Sequence, residues 1–233
     1  MAAMSIDRDA LARSVARLER VDLADTGLDA ALELIVAETD ALFHVDGAGL
    51  MLLSEEGVLR YVAASDEPGR MLEALQEQFG EGPCVDAFLE DAPVGAGDLG
   101  ADPRWPSVGP LAAGHGVHAV LGVPVDLREG PAGTLNVYAA RPHRWDDGDV
   151  AAIQAYTRVI ASLLRAAVQA HVSGRAVSQL QHALHHRSLI EQAKGVIMER
   201  RGLDQLAAFE LLRAQARSTR RRLHDVALEV VGR

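Results

Sequence analysis

The stretch "GAGLMLLSEEGVLRYVAAS", Gly47 to Ser65, places two short apolar runs on either side of the turn-rich Ser54–Gly57, and this spacing predicts a β-hairpin. Before it, "DAALELIVAETDALFHV" from Asp29 to Val45 carries Leu32, Ile35, Val36, Leu42 and Phe43 on one helical stripe. After it, the segment from Pro68 to Gly80 reads as a helix with proline at its start and glycine at its end. Residues 81–116 mix Gly, Pro and Asp and predict a long irregular crossing with short helical pieces. A second hairpin follows, "VHAVLGVPVDL" and "GTLNVYAA" flanking "REGPAG". This order gives an α+β unit with a mainly antiparallel sheet, closed by a helix that starts near Asp146 or Asp147, where a carboxylate suits a helix N-terminus.

In that closing helix Ile153, Tyr156, Ile160, Leu163 and Ala167 recur at spacings of three and four. The stripe can pack on its own sheet and also on a second copy of itself, and a dimeric coiled coil is the favoured reading over an intrachain bundle. "SGR", Ser173 to Arg175, interrupts the pattern, and Val177, Leu180 and Leu184 begin another seam.

Charge divides the chain in two. Residues 1–149 hold 10 arginines against 27 acids, a net −17; residues 150–233 hold 12 arginines and one lysine against 6 acids, a net +7. An acidic domain repels polyanions, whereas a small basic one suits nucleic acid. The single cysteine, Cys84, excludes an intrachain disulfide and a thiolate metal site, and the nine histidines show no familiar ligand spacing, so no metal is expected. The single lysine, Lys194, sits in Ala-Lys-Gly and excludes a P-loop. No apolar run has signal-peptide or spanning character, which predicts a cytoplasmic protein without a membrane partner.

From Leu184 the pattern predicts three short helices: one with Ile190, Ala193, Ile197 and Met198 ending at Gly202, one after Asp204 with Leu206, Phe209, Leu212 and Ala216 inward, and "RLHDVALEVV" with Leu223, Val226, Ala227, Val230 and Val231. Seven residues make nearly two turns, so Arg187, Lys194 and Arg201 align on the first helix. Arg213, Arg217 and Arg220 or Arg221 align along the second helix and its exit turn. Two basic ridges on one small bundle can form a phosphate-binding surface; the alternative is a solvated charge face.

The ordered set Ile190, Gln192 to Gly195 and Met198, then Ala208, Phe209, Leu212 and Arg213, then Leu223, Val226 and Ala227 resembles the ANTAR domain, an all-helical RNA-binding antitermination module. The resemblance implies binding to paired stem-loops in message leaders, a homodimer, and RNA contacts from Arg187, Gln192, Lys194, Gly195, Arg201, Arg213, Arg217, Ser218, Arg220 and Arg221. Lys194 then either supplies a compact ammonium to RNA or merely pairs with Glu191 three residues back. Phe209 is read as bundle core rather than a base-stacking platform, and Ser218 as a cap of the third helix or a phosphate ligand.

The acidic part is similar to GAF domains, a sensory fold, through "EGPCVDA", "DPRWPSVGPLAAGHGV", "VLGVPV" and "GTLNVYA". Cys84 and Trp105 are its candidate sensory residues, with a buried inert thiol and a pocket-mouth plug as the plain alternatives; the resemblance leaves a small-molecule ligand open and names no cofactor. The resulting division is an N-terminal helical segment over 1–24, a GAF-like domain over 25–168, a connector over 169–188 and an ANTAR module over 189–233. The function expected is a non-enzymatic RNA-binding antitermination regulator, with a DNA-binding transcription factor as the alternative. A GAF-type methionine sulfoxide reductase would need resolving cysteines, and Cys84 has none.

Overall fold

The computed structural model describes residues 8–18, 20–21, 23–54, 59–127, 130–169, 189–219, 221 and 223–232. Five strands, β1 (Gly47–Leu53), β2 (Leu59–Ala64), β3 (Val94–Ala96), β4 (Ala119–Asp126) and β5 (Pro131–Ala139), form one antiparallel sheet in the order β2-β1-β5-β4-β3. Both expected hairpins are present, β1 with β2 and β4 with β5. The central β1–β5 pairing, Leu50 opposite Leu135 and Ala48 opposite Val137, joins them across more than 80 residues of chain by a contact that no local pattern encodes. β3 lies inside the segment read as irregular and extends the sheet through Gly95 opposite Leu121.

Helices cover both faces, which is why the strands are apolar runs rather than alternations. On one face α1 (Arg8–Leu18), α3 (Leu28–Phe43) and α7 (Asp147–Gln169) bury Leu32, Ile35, Phe43, Ile153, Tyr156 and Ile160 against Leu50, Leu135 and Val137. α2 (Leu23–Thr26) is a single turn leading into α3. On the other face lie α4 (Glu67–Phe79), α5 (Pro83–Glu90) and α6 (Val108–Gly114), packed on Val120 and Tyr138.

Helix ends follow the chemistry expected of them. Asp146 accepts hydrogen bonds from the backbone N–H of Gly148 and Asp149 and so caps α7 at its start. Asp66 accepts from Gly69 N–H at 2.9 Å, opening α4, and its second oxygen accepts from the Tyr138 hydroxyl. Burial and the Asp66 carboxylate push the Tyr138 phenol well above its ordinary range. That ring crosses so close over Gly47 that a β-carbon there would overlap it.

The α7 stripe is spent inside the chain. Ile153, Tyr156, Ile160, Leu163 and Ala167 are all buried in the core shared with α3 and the sheet, and Phe43 meets Tyr156 edge-on at 5.6 Å. The intrachain alternative therefore describes α7, and this stripe offers nothing to a second copy. The "SGR" break and the Val177, Leu180 and Leu184 seam lie outside the described residues.

The C-terminal part is α8 (residues 189–201), α9 (Gln205–Thr219) and α10 (Leu223–Val231). Gly202 adopts the left-handed backbone (φ 64°) that ends α8, and Asp204 accepts from Ala207 N–H at 2.8 Å to open α9. Ile190, Ala193, Ile197, Ala208, Phe209, Leu212, Ala216, Val226 and Ala227 form the interior of the bundle.

Asp66 serves a cap and a cross-sheet contact together, so Asp66→Ala is expected to cost about 1–2 kcal/mol of folding stability. Urea denaturation of the full chain measures this, with an unchanged m-value.

Candidate nucleic-acid interface

Of the residues expected to hold RNA, the structure describes Gln192, Lys194, Gly195, Arg201, Ser218 and Arg221. Gln192 and Gly195 are exposed on α8, with open space where a Gly195 β-carbon would stand, and Arg201 is exposed at the helix end. Ser218 is exposed near the end of α9, where its hydroxyl donates to the Gln215 carbonyl at 3.0 Å instead of capping α10. Arg221 is exposed between α9 and α10; its guanidinium donates to Glu229 Oε1 at 2.7 Å and to the Asp225 carbonyl at 3.4 Å. Arg187 and Arg220 lie outside the described residues, as do the side chains of Arg213 and Arg217.

Lys194 departs from the expected ridge: it is only 5% exposed. At about 100° per residue it stands roughly 60° from Ile197, on the border of the apolar stripe rather than on the solvent pole. Its ammonium donates to both carboxylate oxygens of Glu191, each at 2.9 Å, and lies 5.7 Å from the centroid of Phe209. The pairing with Glu191 is thus realised, and Phe209 is bundle interior.

The acidic domain reaches the Lys194 side of the bundle. A cavity of about 200 Å³ lies beside it, walled by Phe88, Leu89, Asp91 and Gly130 on one side. Glu191, Gln205 and Phe209 complete the wall on the bundle side. Beneath, one apolar cluster runs from Met51 and Leu59 through Cys84, Val85 and Leu89 into Ile190 and Phe209. Helix α5 therefore packs against the sheet and against the bundle at once.

The start of α5 rests on buried polar groups that sequence reading missed. Cys84 N–H donates to Gln76 Oε1 at 2.9 Å; the Gln76 amide nitrogen donates to Cys84 Sγ at 3.0 Å and to Glu73 Oε2 at 3.3 Å. Asn136 donates from Nδ2 to Glu73 Oε1. Glu73, Gln76, Cys84, Thr134 and Asn136 are all fully buried, and neither Thr134 Oγ1 nor Asn136 Oδ1 has a hydrogen-bond partner among the described residues. Burial pushes the Glu73 carboxyl up to about 8, against the opposing pull of the Asn136 and Gln76 hydrogen bonds. Burial, then the nearby Glu73, push the Cys84 thiol well up, so it is a poor nucleophile.

Trp105, the other candidate sensory residue, is buried in the core between α6 and the sheet, donating from Nε1 to Asp86 Oδ2 at 2.8 Å with Arg104 over its ring at 4.0 Å. Asp86, raised above the ordinary carboxylate range by burial against the opposing Trp105 bond, ties this indole to α5. Among the described residues no cluster of His, Cys, Asp and Glu is placed to hold a metal ion, and no helix is long and apolar enough to cross a membrane.

A GAF-domain family profile matches residues 18–165 and an ANTAR-domain profile residues 178–231. The chain belongs to the GAF-domain family and carries an ANTAR domain behind its GAF domain. Among curated proteins none matches the sequence significantly. Among solved structures, the GAF domain of an Acinetobacter phosphoenolpyruvate-protein phosphotransferase is similar at 19% identity and a TM-score of 0.57, covering 75% of this chain and 99% of that one. The corresponding domain from Coxiella burnetii gives 18% and 0.54, covering 68% and 92%. A free methionine-R-sulfoxide reductase from Neisseria meningitidis in complex with its substrate gives 18% and 0.56, covering 70% and 90%. These likenesses establish the fold.

A carboxyl whose folded-state value lies above its unfolded one favours folding while protonated. The Glu73 contribution is complete below about 4.5 and is lost as pH rises through about 8. Stability should therefore fall between pH 5 and pH 8, on the order of a kcal/mol per pH unit from this group alone. In Glu73→Gln that slope should flatten, as read from thermal melts across the range.

Proposed function

We propose that this protein is a transcription antitermination regulator that holds paired RNA stem-loops in nascent message leaders through its C-terminal bundle. The observation that carries the reading is the three-helix ANTAR domain at the end of a basic segment of net +7, with Gln192, Gly195, Arg201, Ser218 and Arg221 at the surface. ANTAR domains are RNA-binding antitermination modules, and GAF domains are sensory ones.

Within this reading the roles divide by chemistry. Arg201 supplies a delocalised cation to phosphate, while the guanidinium of Arg221 already serves Glu229 and the Asp225 carbonyl and acts chiefly as a brace of the α9–α10 corner. Gly195 lets a sugar-phosphate backbone approach α8 without a side chain in the way. Arg187, Arg213, Arg217 and Arg220 add positive charge in the same segment. A homodimer would present two bundles to two hairpins and raise the effective concentration for the second. With the α7 stripe buried, that dimer rests on the resemblance and on a contact outside the stripe.

Non-enzymatic action fits the chemistry of the one thiol: Cys84 is buried, protonated and hydrogen-bonded to Gln76. The GAF domain would act as a sensor or dimerisation unit, and the buried group around Glu73 is the polar part of its interior.

Fluorescence anisotropy of the full chain with a tandem-hairpin RNA, a single hairpin and duplex DNA, across salt, tests the reading. Tandem RNA is expected to bind tightest, and Arg201→Ala to weaken it several-fold while lowering the salt slope by about one. Equal binding of RNA and DNA with only a salt dependence would return the bundle to a generic polyanion binder.

A further inference from the structure

Lys194 lies in the core motif of the RNA-binding domain, yet it presents almost no surface to a phosphate in the arrangement described. An ammonium–phosphate contact needs the two within about 2.9 Å. Lys194 is 5% exposed, two of its donor contacts go to Glu191, and the cavity beside it is walled on one side by Phe88, Leu89 and Asp91 at the end of α5. The covering groups belong to the half of the chain with net charge −17, and the end of α5 carries Glu90 and Asp91. Gln192, Gly195 and Arg201, by contrast, are exposed with α5 in place.

We propose that α5 and RNA compete for the Lys194 side of the bundle, so that the GAF domain masks part of the RNA-binding surface until it undocks. This rests on the RNA-binding reading above and adds its regulation. The docked chain retains a partial footing for RNA through the exposed α8 residues; the undocked chain adds Lys194. Two competing contacts on one side of α8 reduce apparent RNA affinity by the fraction of molecules undocked. The contact is partly apolar, through Phe88 and Leu89 against Phe209 and its neighbours, so salt alone does not release it.

The position of α5 is itself set from inside the GAF domain. Its first turn hangs on Gln76 through Cys84 N–H, and the same amide holds Glu73, while its last turn reaches the cavity beside Lys194. A change that moves Gln76 therefore moves the cover.

The test uses full-length variants and a fluorescent tandem-hairpin RNA. Phe88→Glu places a charge in the seam, at a half-buried position packed against the shared apolar cluster, and is expected to tighten RNA binding about tenfold. Lys194→Ala should cost several-fold in that background and little in protein whose cover is cross-linked in place. Asp91→Cys with Gln205→Cys, joined by a short bismaleimide, holds the cavity walls together and should weaken binding by a similar factor relative to the unlinked pair; Cys84, fully buried, does not compete for the reagent. The linked pair decides the matter if Phe88→Glu fails to fold by circular dichroism. Equal RNA affinity in linked and unlinked protein, or an equal cost of Lys194→Ala in linked and Phe88→Glu chains, overturns the masking while leaving RNA binding intact. Failure of every form to prefer hairpin RNA over duplex DNA overturns the RNA reading and the masking with it.

Discussion

Cys84, Val85 and Leu89 belong at once to the underside of the GAF domain and to the wall of the ANTAR bundle. Everything distinctive about this chain depends on that sharing. A helix of eight residues, about 12 Å long, is too short to stand on its own. Its conformation is held by the Gln76 amide at one end and by two apolar surfaces along its sides. Because both surfaces meet the same helix, the position of one domain is felt by the other without a long chain of intermediates.

The lone lysine makes physical sense in this setting. Arginine, the cation this sequence otherwise uses throughout, carries a planar fork with five donors that must be satisfied when buried. Lys194 has a slim apolar stem and a compact head that the Glu191 carboxylate receives with both oxygens. The aromatic face of Phe209 adds a weak attraction at 5.7 Å. A buried site of this shape takes an ammonium more easily than a guanidinium.

Most elements could be read from the sequence because their causes are local. Ser54–Gly57 and the Gly130 turn bound apolar runs; Asp66 with Pro68, Asp146 and Asp204 open helices, while Gly80 and Gly202 close them. The three-residue β3 escaped because it is a strand only by virtue of β4 beside it. Periodicity showed that α7 has an apolar stripe but not what covers it, since an α7 partner and the chain's own α3 ask for the same pattern. Of the site, Gln192, Gly195 and Arg201 were legible as surface, whereas the cavity beside Lys194 is walled in part by α5, more than 100 residues earlier. Glu73 was the least visible: in "MLEALQEQF" it has the look of an ordinary solvated acid, and only the sheet above it makes it a buried one.

The shared cluster also bears on how such a protein can be rebuilt. A sensory domain exchanged at the connector would arrive without Phe88 and Leu89 in register, and the bundle would keep an oily patch made for them. Such a chimaera would inherit a sticky surface and a constitutive output together. A workable transplant therefore has to carry α5 with the bundle, or redesign the bundle face along with the new domain, so that the natural cutting point of this chain lies inside its first domain rather than between the two.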